Sequence, residues 1–420
     1  MFARRASWDL TANELARRVA ERRARGLEIL DLSDANPTRH GLGEAAGALG
    51  EALAALARDP AAARYEPEPR GDAGARAAVA AYHRRGGARP EPEHVVLTSG
   101  TSEAYAHLFR LLADPGDVVH LPEPGYPLFE HLAALEGLEV RRYRLCPPAE
   151  GAGWRVDVDG LARTLGRQSR LLLAIHPHNP SGSYVAASDL ARLRALCRER
   201  GLALVSDEVF ADYALAGDPP PGALSAGEAG PLTFALSGAS KVLGLPQLKL
   251  AWIVAAGPRA ARDEALARLE FVADAYLSVS PLLARLLPRL LERRAGVQAE
   301  IRARLATNRA ALAAALAACA RAALLPAEAG WSGVVALRDG IDEEALASDL
   351  LDRAGVLVQP GFLFDLEPDL EPDLEPAGAA SGHLVLSLLP DPPRFARGAM
   401  ALAEALDAGA GRGVLASRRS

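Results

Sequence analysis

Short apolar runs recur along this chain with helix-like stretches between them, and nothing else in it limits the possible folds so strongly. The run Leu171-Leu-Leu-Ala-Ile175 is the clearest, with no polar position at all. A strand with one wet face alternates polar and apolar residues, so an unbroken run belongs to a strand covered on both faces. Strands are predicted at Val95 to Thr98, Val118 to Leu121, Glu139 to Arg144, Leu171 to Ile175, Leu202 to Ser206, Leu232 to Leu236 and Leu250 to Ala255. Helices are predicted between them, at Arg76 to Arg85, Ser102 to Ala113, Pro127 to Leu135, Leu161 to Gly166 and Ser188 to Arg200. This rhythm is that of an α/β domain with a doubly wound, mostly parallel sheet.

The flanking segments differ. A helix is expected over Thr11 to Gly26 and a strand-turn at Ile29 to Thr38. A long Ala/Arg/Leu helix is predicted from Val297 to Ala322, and beyond it a mixed α+β tail. In that tail, strands are read near Trp331 to Leu337, Val356 to Gln359 and His383 to Leu388, and helices at Glu343 to Arg353 and Pro393 to Leu406. The expected division is a large domain over 46–300 and a smaller α+β domain made of 1–45 and 301–420. The threefold Asp-Leu-Glu-Pro repeat from Asp365 to Pro376 reads as an acidic surface loop, because proline at every fourth residue denies it a helix or central strand. The end, from Gly409, is expected to be disordered.

At 420 residues and net charge −6 the chain carries no basic footprint for nucleic acid or an anionic membrane. No apolar run reaches a membrane span, and the start lacks a signal peptide's apolar core, so a cytoplasmic protein is expected. Cys146, Cys197 and Cys319 form neither a disulfide framework nor a metal motif.

Ligands of open α/β sheets bind at the carboxyl ends of the strands, and here four such ends carry unusual residues. Ser99-Gly100-Thr101-Ser102 opens a helix, where backbone N–H groups and hydroxyls favour an anion; taken alone, a plain Ser/Thr cap is the simpler explanation. His176-Pro-His-Asn179-Pro-Ser-Gly182 places Asn179 between prolines, although turn chemistry alone accounts for those residue types. Asp207-Glu208 ends an apolar strand, and a buried carboxylate there needs a partner that the neighbouring sequence does not supply, such as a protonated ligand nitrogen. Lys241 follows Gly238, Ala239 and Ser240, small residues that leave room for something flat. Most lysines are solvated surface charges, but a desolvated one becomes a nucleophile. Together the four ends supply an anion cradle, an amide, a carboxylate and an amine, the equipment that holds pyridoxal 5'-phosphate.

On these motifs the chain resembles the class I/II aminotransferases of fold type I, from Asp31 to about Leu406. The motifs are Gly238-Ala-Ser-Lys241, Asn179-Pro-Ser-Gly182 and Asp207-Glu-Val-Phe210, in family order. The resemblance implies that Lys241 binds the cofactor covalently and shuttles the proton at the substrate α-carbon. It implies that Asp207 pairs with the ring nitrogen, that Asn179 donates to the phenolic oxygen and that Tyr126 stacks on the ring. Gly100, Thr101, Ser102, Ser240 and Lys249 are implied to hold the phosphate, together with Tyr65 reaching across a homodimer interface. Asn36, Asn179 and Arg394 are the implied substrate contacts.

Several positions depart from the family pattern. Lys249 stands where an arginine is usual, Gln247 where a small residue is, Phe210 where a tyrosine is and Ala35 where a glycine is. The arginine expected to grip the substrate carboxylate falls on Val385, and Arg394 is the candidate replacement. Trp331, Phe362, Phe364 and Tyr276 are candidate pocket-lining or core residues. The expected activity is transfer of an amino group between an α-amino acid and a 2-oxo acid by a ping-pong route. A β-eliminating lyase on the same scaffold is the alternative, and a ligand-sensing protein a more distant one.

Overall fold

The computed structural model describes residues 2–8, 10–42, 44–147, 153–366 and 381–409. The repeat from 367 onward and the C-terminal end from 410 lie outside the described residues. The chain divides into two compact units. One is built on Asn36–Arg302 with Met1–Trp8 and Ala327–Gly330; the other takes Asp9–Ala35, Ala303–Pro326 and the chain from Trp331.

The first unit is organised by an eight-stranded sheet: β1 (Val95–Thr98), β2 (Val118–Glu123), β3 (Glu139–Cys146), β4 (Arg155–Val156), β5 (Ser169–Ile175), β6 (Ala203–Asp207), β7 (Thr233–Gly238) and β8 (Ala251–Ala256). Their spatial order is β1-β8-β7-β6-β5-β2-β3-β4. β7, β6, β5, β2 and β3 run parallel, whereas β8 is antiparallel to both its neighbours. β1 therefore runs in the same direction as β7, so the carboxyl ends of β1, β7, β6, β5 and β2 share one edge. The start of β8 lies there too, since Ala251 pairs with both Thr98 and Gly238.

Both faces of the sheet are covered along its central strands, as their unbroken apolar runs require, whereas the polar strand Glu139–Cys146 near one edge stays largely exposed. Leu171, Leu173 and Ile175 pack with Leu108 and Phe109 of the helix Thr101–Leu112. Leu172 and Ala174 point the other way, into Leu190 and Leu193 of the helix Ala187–Arg200. Each such leucine contributes about 1.5–3 kcal/mol by burial.

The second unit has a four-stranded antiparallel sheet in which Ser332–Leu337 pairs with Ala322–Leu324 on one side and Gly382–Ser387 on the other. Leu30–Asp31 pairs in parallel with Val356–Leu357, which ties the N-terminal stretch into this unit. Two elements differ from expectation. The long helix spans Arg294–Leu316 and stops short of Ala322, which instead joins the strand Ala322–Leu324. Its Ala-rich sequence carries no breaker at that point, and pairing with Ser332–Leu337 overrides helix propensity. The expected strand Val356 to Gln359 is two separate pairings, Val356–Leu357 and Gln359–Pro360, to different partners. Among the described residues no helix is long and apolar enough to cross a membrane.

Candidate active site

The shared strand edge of the first unit collects most of the residues singled out in the sequence. Register fixes the layout: Asp207 pairs laterally with Ile175 on β5 and Leu236 on β7. Lys241 follows β7 on the four-residue helix Ala239–Val242, and Asn179 lies four residues past the end of β5.

Two glycines make the turns possible. Gly182 has φ +72°, and a Cβ on it would come within 2.3 Å of the Ala329 carbonyl oxygen. Its own carbonyl accepts from the Ala329 N–H at 2.8 Å, which closes the loop that begins at Asn179. Gly238 lies so close to β8 that a Cβ would meet that of Ala251 at 2.8 Å. A larger residue there would push the Lys241 turn off the sheet.

Asp207 is buried, with 6% of its surface exposed. Its Oδ2 accepts a 2.7 Å hydrogen bond from the Tyr105 hydroxyl and its Oδ1 one of 3.1 Å from the Val209 N–H. Burial pushes its pKa up to about 6 against the pull of these two donors; the Glu208 charge adds to the rise and the Lys241 charge opposes it. Lys241 is half-buried. The protein around its amine pushes its pKa down to about 8, and the Asp207 charge holds it from falling further. Acid and amine therefore sense each other directly. The Lys241 ammonium also stands 5.1 Å from the centroid of the Phe210 ring. The backbone around Lys241 is held from outside the turn: Tyr213 donates to the Lys241 carbonyl at 2.6 Å, and Gln298 to the Val242 carbonyl at 3.1 Å.

The anion cradle is freer than a capped helix. Gly100 is the N-cap of Thr101–Leu112, and no side chain caps it, so the Ser/Thr-cap reading does not hold. Glu103 turns back to accept from the Ser99 N–H at 2.7 Å, outside the helix. The first-turn N–H groups thus keep the partial positive charge that attracts anions. Lys249 adds a full charge, its Nζ lying 3.5 Å from the point a Cβ on Gly100 would occupy. Thr101 and Ser240 are half-buried and Ser102 is exposed.

Tyr126 is exposed, and its ring centroid lies 6.0 Å from that of Phe129, which packs on Tyr105 at 5.0 Å. The Tyr126 loop is fixed by His178, which donates from Nε2 to the Pro124 carbonyl at 2.9 Å and accepts at Nδ1 from Ser181. Burial drives the His178 pKa down to about 4, so the ring is neutral. Tyr65 is 76% exposed. Asn36 spends its side-chain oxygen on Thr38.

In the second unit, Arg394 lies 3.6 Å from Glu28 and donates to the Ile29 carbonyl at 3.3 Å. Val385 is buried at mid-strand, opposite Val334 and Gln359. Trp331 and Phe364 are core residues and Phe362 is half-exposed, whereas Tyr276 in the first unit packs against Arg110 and His107.

Sequence reasoning missed Tyr105, Tyr213 and Gln298. Tyr105 sits beside Ala104, Leu108 and Phe109 on an apolar helix face and reads as core; its partner lies 102 positions away. A second signal was available. The chain has only two lysines among its 47 basic residues, Lys241 and Lys249, both in this site.

The family model for aminotransferase class I and II matches residues 33–372. A probable aminotransferase, TAT3, from Arabidopsis thaliana is 33% identical over 199 residues, 46% of this chain and 43% of that protein. The S-alkyl-thiohydroximate lyase SUR1 of the same plant is 33% identical over 187 residues, 44% of this chain and 39% of that one. This chain thus spans about two-fifths of the length of these curated relatives. Among solved structures, an alanine aminotransferase from Pyrococcus furiosus superposes with a TM-score of 0.83 at 19% identity, covering 97% of this chain and 100% of the other. At that identity the likeness establishes the fold, which is fold type I.

Proposed function

We propose a function from one premise: this chain belongs to the aminotransferase class I and II family. It transfers an amino group between an α-amino acid and a 2-oxo acid, with pyridoxal 5'-phosphate as cofactor. The observation that carries this reading is the pair at the strand edge, a buried acid and a half-buried amine that shift each other's proton affinity, beside a helix start with no side-chain cap and a lysine near it.

The residues fit such a cofactor by their chemistry. Its phosphate suits Gly100, Thr101, Ser102, Ser240 and Lys249; its ring nitrogen suits the carboxylate of Asp207; its aldehyde suits the amine of Lys241. When bound, the cofactor supplies an electron sink for the carbanion formed at the substrate α-carbon. The rest falls to this chain. With a pKa near 8, Lys241 is neutral in a useful fraction of molecules at neutral pH, so its Nζ attacks as a nucleophile and carries a proton. Asp207, ionised above about pH 6, presents negative charge to a cationic ring nitrogen. Phe210 packs its ring against the amine and offers it no hydroxyl. Asn179 and Tyr126 orient the ring, and Asn36, Asn179 and Arg394 are the candidate substrate contacts. The cofactor-binding domain in this reading is 46–300, and the smaller one is 1–45 with 301–420.

A homodimer is part of the proposal. In the first unit Tyr65, Phe271, Tyr276, Leu277 and Leu282 are all exposed, between 41% and 79%. Their two segments adjoin, with Arg70 on Glu270 at 2.6 Å and Arg285 3.8 Å from Asp72. Exposed apolar side chains gathered on adjoining segments favour a protein partner, and a second copy would cover them and bring Tyr65 to a neighbour's site.

Val385 favours a second reading. Without an arginine there, the α-carboxylate of an amino acid lacks its usual anchor, and a β-eliminating lyase gains ground, in keeping with the lyase among the similar proteins. The test is incubation with single amino acids and no oxo acid. A transaminase releases one equivalent of 2-oxo acid per site and stops; a lyase releases ammonia continuously. Silence across a broad panel contradicts both and leaves a ligand-binding protein.

A further inference from the structure

Asp207 is a buried carboxylate that has to stay charged and in place to serve a ring nitrogen. One helix answers both needs. Thr101–Leu112 begins at the anion cradle, and Tyr105 follows Thr101 by four residues, on the same face and about 6 Å along the axis. Its ring is 1% exposed and wedged between Phe109 at 6.0 Å and Phe129 at 5.0 Å, which leaves the hydroxyl a single direction. That direction ends on Asp207 Oδ2 at 2.7 Å.

We propose that Tyr105 is the positioning residue of Asp207: its hydroxyl fixes the carboxylate's rotamer and holds it as an anion, so that the helix that receives the phosphate also sets the acid for the ring nitrogen. The proposal rests on the cofactor reading given above. The charged and titratable neighbours of Asp207 are Glu208 on its own strand end, which disfavours its charge, Lys241 from the turn after β7, which favours it, and Tyr105 itself. Of these, only Tyr105 touches the carboxylate with a neutral donor, alongside the Val209 N–H. A neutral donor stabilises the anion without competing for its charge, so a cationic ring nitrogen still meets a full carboxylate.

The test is Tyr105→Phe, which keeps the packing and removes the donor. In cofactor-free protein labelled with 13C-carboxyl aspartate, with Asp207→Asn as the assignment control, the Asp207 carboxyl of Y105F should titrate about one pH unit higher than in wild type. Affinity for pyridoxal 5'-phosphate should then fall several-fold below pH 7 and recover above it, with no such pH dependence when Y105F is made in the D207N background. A tyrosine that serves only packing leaves the carboxyl titration where it was. If Y105F unfolds, incorporation of 3-fluorotyrosine, which keeps the packing and makes the hydroxyl a stronger donor, should lower the Asp207 titration instead, and an unmoved titration overturns the proposal. A Y105F carboxyl titrating with the wild type overturns this proposal alone, whereas wild-type protein that binds no pyridoxal 5'-phosphate overturns the reading beneath it.

Discussion

Asp207 and Lys241 are each held in the fold away from the charge state they prefer in water, in opposite directions. For Asp207 the folded pKa is raised, from 3.8 to about 6. Its contribution to stability is therefore complete below the unfolded value and lost as pH rises through about 6. For Lys241 the folded pKa is depressed, from 10.5 to about 8, so its contribution is complete above the unfolded value and lost as pH falls through about 8. Between these limits the cofactor-free protein bears both penalties. Asp207→Asn removes the first: at pH 4 the variant should melt with wild type, and at pH 8 it should melt several degrees higher, for at most roughly 3 kcal/mol. Calorimetry at the two pH values checks this, and equal shifts at both would show that burial of the charge is not the cause. Residues of this kind were legible because chemistry stood out directly after apolar runs. Tyr105 was not, because a tyrosine among alanine, leucine and phenylalanine on one helix face is what a core looks like until its distant partner is known.

At the scale of elements, the turn after β5 depends on one glycine whose neighbours leave no alternative. Gly182→Ala meets both a left-handed backbone and the Ala329 carbonyl, and should destabilise the protein by roughly 2–4 kcal/mol. Gly201, with φ +66° and nothing within 4 Å of a built Cβ, is the control: alanine there should cost about 1 kcal/mol. Denaturant titration separates the two, and equal losses would mean that the close approach to Ala329 carries no energy. Seven of the eight strands of the large sheet were readable to within two residues, the central ones because burial on both faces writes itself as unbroken apolar sequence, whereas the two-residue edge strand Arg155–Val156 was passed over. The helix Arg259–Asp274 was passed over, although its Leu266 and Leu269 complete the same core. The end of the long helix at Leu316 was hidden because alanine continues through the stop, and only pairing with a strand further on decides it.

For the assembled protein, the exposed apolar side chains at Tyr65, Phe271 and Leu282 set the next expectation. Sedimentation at micromolar concentration should give about twice the 44.1 kDa of one chain, and Phe271→Glu, at a position 79% exposed, should yield a folded monomer. A wild-type monomer would remove the argument for Tyr65 serving a neighbour. Position 385 sets the other: no strand pattern reveals why a valine stands there, and the amino-acid panel decides what it means for the substrate.

All of this turns on Lys241 as the residue that carries the cofactor, and the chain's composition makes that unusually easy to test. Only two lysines are present, Lys241 and Lys249. Saturating the protein with pyridoxal 5'-phosphate, reducing with borohydride and mapping the peptides should place one pyridoxyl group per chain on Lys241. A group found on Lys249 instead, or no covalent group at all, would contradict the account.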